Sequence, residues 1–184
     1  ENCIITDVGS VKGNIHRAAR DLGLENQFIG GHPMAGSEKT GYANSSAALL
    51  ENSYYLLTPT PQTPDTKLQL LLSLLKCTGS KCVIVDPEKH DDITAAISHV
   101  PHIIAATLVN LIRENDTPDG FMKAFAAGGF KDITRIASSS PEMWENICLS
   151  NKDSIEHFLE LYIKSLEDFR KLLREEKTEE LRNT

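Results

Sequence analysis

Gln27-Phe28-Ile29-Gly30-Gly31-His32-Pro33-Met34-Ala35-Gly36-Ser37-Glu38 is a short apolar strand that runs straight into a polar loop. The loop carries a histidine, a hydroxyl and a carboxylate between glycines and a proline. Glycine lets backbone approach a ligand closely, and Pro33 fixes the chain behind the histidine. A polar loop at the end of a strand is where open α/β sheets bind ligands. The flanking sequence fits that setting. Cys3-Ile4-Ile5 reads as a buried strand. Residues 11–22 read as a helix with Ile15, Ala18, Ala19 and Leu22 on one face and Gly23 as its stop. Tyr54-Tyr55-Leu56-Leu57-Thr58 is a further strand closed by Pro59 and Pro61, residues 66–76 are a leucine-rich helix, and residues 81–85 are a last strand. Strands alternating with helices predict a parallel sheet with right-handed crossovers.

Beyond Pro87 the strand signal stops. Residues 88–114 read as a long helix that Pro101 must kink or break. Residues 118–125 form a short helix, and residues 126–135 a glycine-containing turn into another. Ser140 caps a further helix with Pro141 at its first position. Ser150-Asn151-Lys152-Asp153 has the pattern of a capping box, opening a helix that ends near residue 175. Along that helix Ile155, Phe158, Leu159, Tyr162, Leu166, Phe169 and Leu173 recur at three- and four-residue steps, a spacing suited to pairing with a second copy of the chain. Residues 177–184 are polar and are expected to fray. The boundary between halves falls near residues 86–90, giving an α/β part over 1–87 and a helical part over 88–184.

The 184 residues carry a net charge of −7, with 40% hydrophobic and 24% charged residues. That is an ordinary globular mixture. The negative balance argues against a general nucleic-acid binder, while leaving room for a local positive pocket around Arg135 and the histidines. Cys3, Cys77, Cys82 and Cys148 form no C-x-x-C pair and read as reduced thiols, which suggests a cytoplasmic protein. No signal peptide is recognised, and no apolar run reads as long enough to span a membrane.

A second group of segments accompanies the opening one: Thr6-Asp7-Val8-Gly9-Ser10-Val11-Lys12, Ser98-His99-Val100-Pro101-His102, Gly128-Gly129-Phe130-Lys131-Asp132-Ile133-Thr134-Arg135, and Ser140-Pro141-Glu142-Met143-Trp144. Together, in this order, they resemble the prephenate and arogenate dehydrogenase family of tyrosine biosynthesis. The resemblance implies a Rossmann-like parallel sheet followed by an all-α dimerisation domain. It also implies NAD- or NADP-dependent oxidative decarboxylation of prephenate or arogenate by a homodimer, with no metal. One expected feature is missing from these residues. No G-x-G-x-x-G phosphate loop occurs, and Gly9 and Gly13 lie in the wrong context for one. The chain is therefore expected to be the C-terminal portion of such an enzyme, inactive alone and a poor binder of dinucleotide.

The resemblance assigns roles residue by residue. His32 is expected to take the proton of the substrate hydroxyl, a task suited to a neutral imidazole. Ser10 would assist it and, with Gly9 and Pro33, border the nicotinamide; equally, Ser10 suits a helix N-cap. Arg135 offers a bidentate, permanently charged fork for a substrate carboxylate, with Asp132 as a possible structural partner. His102, Ser37, Glu38, Gly128 and Trp144 are expected around the substrate. His99, three residues from His102, reads as a packed, satisfied histidine, and Trp144 fits a core or interface anchor as well as a pocket wall. His90-Asp91-Asp92 hints at a metal phosphohydrolase but lacks the further ligands, and reads instead as an acidic first turn complementing the helix dipole. A dimerising, ligand-binding module without catalysis is the alternative to the enzyme.

Overall fold

The computed structural model describes residues 3–36 and 41–184. Four strands, β1 (Ile5–Thr6), β2 (Phe28–Pro33), β3 (Tyr54–Pro59) and β4 (Lys81–Ile84), form one sheet in chain order. β1 and β2 are parallel and joined through α1 (Gly13–Asp21); β3 and β4 are parallel and joined through α2 (Asp65–Lys76). The middle pair is antiparallel, with His32 opposite Leu56. The expectation of an all-parallel sheet is corrected at this junction. Among its described residues the β2–β3 connection contains only the 3-10 turns Tyr42–Asn44 and Ala47–Leu49. Without a crossover helix, β3 returns beside β2 in the opposite sense.

β1 is the sheet edge, so of the expected buried strand Cys3 is exposed and Ile4 and Ile5 are only half-buried. α1 turns His16 and Ala19 inward and leaves Leu22 exposed, which shifts its inner face from the one the apolar pattern suggested. Gly23 does end it, at φ +67°. On one side of the sheet Ile29, Tyr55 and Leu57 pack against Leu68, Leu71, Leu72 and Leu75 of α2. On the other lie α1 and the start of the helical half. There a Cβ on Gly30 would sit 2.2 Å from Thr58 Oγ1 and 2.9 Å from His16 Nε2. A Cβ on Gly31 would sit 2.6 Å from the carbonyl oxygen of Asp7. Both glycines are needed for β2 to seat between these neighbours.

The helical half starts with α3 (Pro87–Thr94), capped by Asp86, whose carboxylate accepts the amides of Glu88 and Lys89. The five-residue π turn Ala95–His99 leads directly into α4 (Val100–Asn115). Pro101, in the first turn of α4, neither breaks nor ends the rod. Proline supplies no N–H and its ring crowds the preceding turn, and the wider π turn accommodates both. Residues 87–115 thus form one 29-residue helical run that is long and apolar enough, by length and composition, to cross a membrane, contrary to the sequence reading. His90, Asp91, Thr94, His99 and His102 on this run are nonetheless buried within the protein.

Then follow α5 (Phe121–Ala124), α6 (Gly128–Thr134), a 3-10 turn Arg135–Ser138, α7 (Pro141–Ser150), α8 (Lys152–Arg174) and α9 (Thr178–Arg182). Ser140 caps α7 through the Met143 amide. The expected frayed terminus is a helix instead: Glu176 at φ +52° turns the chain, and α9 folds back against α8. Ala95, Val100 and Ile155, with Ile103, Ile104, Phe158 and Leu159, form the second core.

Gly30→Ala should lower unfolding free energy by about 1–3 kcal/mol in urea denaturation, the usual cost of overpacking. Gly129→Ala, where an added methyl meets open space, should leave it unchanged or slightly raised.

Candidate active site

His32 ends the buried part of β2, and its Nδ1 lies 2.9 Å from His90 Nε2 on α3. His90 is fully buried, and its Nδ1 lies 2.8 Å from Asp91 Oδ1. The Asp91 carboxylate also receives the backbone amides of Lys12 and Gly13, each at 2.8 Å. Burial alone would raise the Asp91 pKa, but these hydrogen bonds from His90, Lys12 and Gly13 outweigh it and hold the carboxyl below its ordinary value. An ionised Asp91 accepts only, so His90 Nδ1 carries the proton and His90 Nε2 is an acceptor. His32 must then donate from Nδ1, which leaves its Nε2 with a free lone pair. Burial, and then the neighbouring His90, Lys12 and His99, lower the His32 pKa to about 4. The ring is therefore a neutral acceptor throughout the physiological range.

A cavity of about 500 Å³ opens at His32. Ser10, Pro33, His99, His102, Arg135 and Trp144 are among its walls. His102 and Trp144 stack with ring centroids 3.5 Å apart and planes 5° from parallel. Among the described residues, His102 Nδ1 and Trp144 Nε1 are buried without a hydrogen-bond partner. Buried polar atoms are seldom left this way, and two orphans on one cavity wall mark a place where a ligand's polar groups fit. Arg135 makes no ion pair among the described residues, Asp132 included. Its guanidinium is therefore available to an anion.

His99 is 1% exposed, and its Nδ1 accepts from Asn151 Nδ2 at 3.1 Å. The same amide group donates to the Asp91 carbonyl at 2.8 Å. Burial lowers the His99 pKa to about 4, against the opposing charge of Asp91. His99 is thus both a satisfied packed histidine and part of the cavity wall.

Of the residues singled out from the sequence, Ser10, His32, Pro33, His102, Arg135 and Trp144 share this cavity. Gly9 backs it through a hydrogen bond from its amide to Asp7 (2.9 Å). Gly128 is exposed, with nothing near it and no share in this chain's cavity wall. Ser37 and Glu38 lie outside the described residues. The reading of His90-Asp91-Asp92 is corrected: Asp91 serves the N-terminus of α1, not of its own helix, and His90 is the second ring of the chain behind His32. Among the described residues no group of three or more His, Cys, Asp and Glu is placed to hold a metal. Asn151 is also reassigned, since its side chain clamps Asp91 and His99 and makes no cap bond to α8. One signal for His90 was present in the sequence. His90, Thr94, His99 and His102 recur at near-helical steps, and the single five-residue step, from Thr94 to His99, coincides with the π turn.

Residues 86–184 match the family described as prephenate dehydrogenase, dimerization domain. Residues 1–84 match prephenate dehydrogenase, nucleotide-binding domain. The two matches are to the two parts of one dehydrogenase family. The chain belongs to the prephenate dehydrogenase family. It is 45% identical over 179 residues to a prephenate dehydrogenase of Bacillus subtilis, covering 97% of this chain and 48% of that protein. It superposes with TM-score 0.91 and 38% identity on Aquifex aeolicus prephenate dehydrogenase crystallised with hydroxyphenyl propionate and NAD+, covering 98% of this chain and 63% of that one. With Synechocystis arogenate dehydrogenase the TM-score is 0.86 at 32% identity, covering 98% of this chain and 65% of that one. The chain spans about half the length of the curated relatives it matches.

At pH 7, imidazole 15N spectra should show His32 neutral and protonated on Nδ1, and His90→Phe should mix its tautomers. The neutral rings of His32 and His99 also predict a direction for stability. Between pH 6.5 and 4 the unfolded chain binds protons that the folded chain does not. The stabilisation is complete above pH 6.5 and is lost as pH falls toward 4, at up to about 1.4 kcal/mol per pH unit for each ring. Urea denaturation across this range should show that slope, and His99→Gln should reduce it by the share of one ring.

Proposed function

We propose that this chain forms the catalytic and substrate-binding portion of a prephenate dehydrogenase, with residues 1–87 belonging to the nucleotide-binding domain and 88–184 to a helical dimerisation domain. The observation that carries the reading is the lone pair held on His32 Nε2 by the Asp91–His90 chain, in a cavity that also contains Arg135, which makes no ion pair among the described residues.

Prephenate is a dianion with a hydroxyl on its ring. Arg135 grips a carboxylate through a charge-assisted pair. Trp144 Nε1 and His102 Nδ1 supply polar contacts from the stacked wall, and Ser10 stands at the end of the first strand to orient the hydroxyl. His32 Nε2 takes the hydroxyl proton as the carbon beneath it gives up hydride. The positive charge that develops stays on His32 and is stabilised by its Nδ1–H bond to His90, which Asp91 orients. Loss of CO2 then makes the ring aromatic, and the proton returns to the oxygen as the phenol of 4-hydroxyphenylpyruvate forms.

The reactive end of a nicotinamide fits beside this site. The turn after β1 brings the Gly9 backbone and Ser10 to the cavity, and Pro33 faces it from β2. When bound, NAD or NADP accepts the hydride. These residues would hold only the nicotinamide end, since the chain's glycines do not make a phosphate loop. Arogenate, which differs from prephenate only in its side chain, is the alternative substrate. The exposed apolar residues Leu166, Phe169 and Leu173 of α8 suit a homodimer. The four unpaired cysteines suit a cytoplasmic enzyme.

Calorimetric titration with prephenate, with NAD+ present, tests the reading. Saturable binding is expected, weakened roughly 10- to 100-fold in Arg135→Ala, as for loss of a hydrogen bond to a charged group. Arogenate in competition should bind more weakly. Absence of saturable prephenate binding would overturn the assignment.

A further inference from the structure

Behind His32 and Ser10, outside the cavity wall, Asp7 and Lys12 form an ion pair that the chemistry above does not use. Three donors converge on the Asp7 carboxylate. The Gly31 amide reaches Oδ1 at 3.0 Å, the Gly9 amide reaches Oδ2 at 2.9 Å, and the Lys12 ammonium pairs with Oδ2. Gly31 immediately precedes His32, and Gly9 immediately precedes Ser10. We propose that Asp7 is a positioning residue for the reaction: its one carboxylate fixes, through these two amides, the spacing between Ser10 and His32, with Lys12 as the counter-ion that makes the arrangement tenable. This inference rests on the reading of His32 as the proton acceptor.

The chemistry of the site selects Asp. Only a group that is acceptor at every position satisfies three converging donors. Asn would turn an NH2 toward one of them. Charge-assisted bonds to backbone amides are also shorter and stiffer than neutral ones. The glycines contribute by letting β2 lie directly on the loop. A Cβ on Gly31 would collide with the Asp7 carbonyl, and one on Gly9 would come 3.0 Å from Asp7 Oδ2. Lys12 itself is 0% exposed. Its stem runs past Gly30, where a Cβ would meet Lys12 Cδ at 3.1 Å. An ammonium so enclosed needs its partner. Asp7 and Lys12 also act on His32 through space with opposite signs, Asp7 favouring the protonated ring and Lys12 disfavouring it, alongside His90 and His99.

That opposition separates positioning from general support of the fold. In this protein, 15N-detected titration of His32 should show its pKa falling in Asp7→Asn and rising in Lys12→Met. In an enzyme that joins this chain to the phosphate-loop segment of the family, turnover with prephenate and NAD+ should show kcat lowered about 100-fold by Asp7→Asn, as expected for displaced reacting groups, with KM for prephenate changed by less than about threefold. If Asp7→Asn does not fold, the double variant Asp7→Asn/Lys12→Met, which leaves no unpaired buried charge, carries the same turnover readout. An unshifted His32 titration in both single variants, an unchanged kcat, or a loss residing in KM alone would each overturn the proposal. Absence of turnover in that joined enzyme with Asp7 intact would instead count against the dehydrogenase reading, whereas turnover that survives Asp7→Asn would count against the role of Asp7 alone.

Discussion

The N-terminus of α1 presents two amides, from Lys12 and Gly13, that its own residues do not cap, and the carboxylate that meets them is Asp91, on a helix of the other half of the chain. Much of the site depends on that contact. With the bond from His90, it holds the Asp91 carboxyl below its ordinary value despite burial. An ionised Asp91 fixes the proton of His90, and His90 fixes that of His32. A helix N-terminus is a natural anion site, and here the anion is a side chain supplied from 79 residues away. A packing contact between two halves therefore decides which nitrogen of one imidazole is free to accept a proton.

The helical half is shaped to serve the same contact. A helix advances about 100° per residue, so the extra residue of the π turn rotates everything after it relative to α3. With that offset, His90, His99 and His102 stay on the side that meets β2, Asn151 and the cavity, although Pro101 lies among them. Asn151 holds the arrangement from α8, joining the Asp91 carbonyl to His99. The result is a cavity in which burial holds His32, His99 and His102 toward the neutral form beside a guanidinium with no ion-pair partner among the described residues, in a chain whose overall charge is negative. Local desolvation and selective pairing set the field of the cavity, whatever the net charge.

The sequence made the strands, the two cores and most helices legible, because Phe28-Ile29, Leu56-Leu57 and the leucines of α2 carry clear periodicity. It also pointed to His32, Arg135 and His102 through the segments that contain them. What it hid depends on contacts distant in sequence. Nothing near β2 or β3 announced their antiparallel pairing, since that follows from a connection lacking a helix. His90 and Asp91 looked like a helix start because their partners, His32 and the amides of α1, lie 58 or more positions away. Asn151 matched a cap by pattern, and tertiary structure drew its side chain elsewhere. Pro101 suggested a break, and the π turn that absorbs it leaves no residue-type signature.

The bonds from Asp91 to α1 also join mechanics to chemistry. The two halves are linked in the chain by the short stretch after β4, and any rotation about it that draws α3 away from α1 would stretch those two bonds along with the one between His32 and His90. Once they part, Asp91 keeps its bond from His90 but loses two of the three donors that hold its carboxyl low. The seating of one half on the other and the order of protons along the histidine chain are thus set by the same carboxylate.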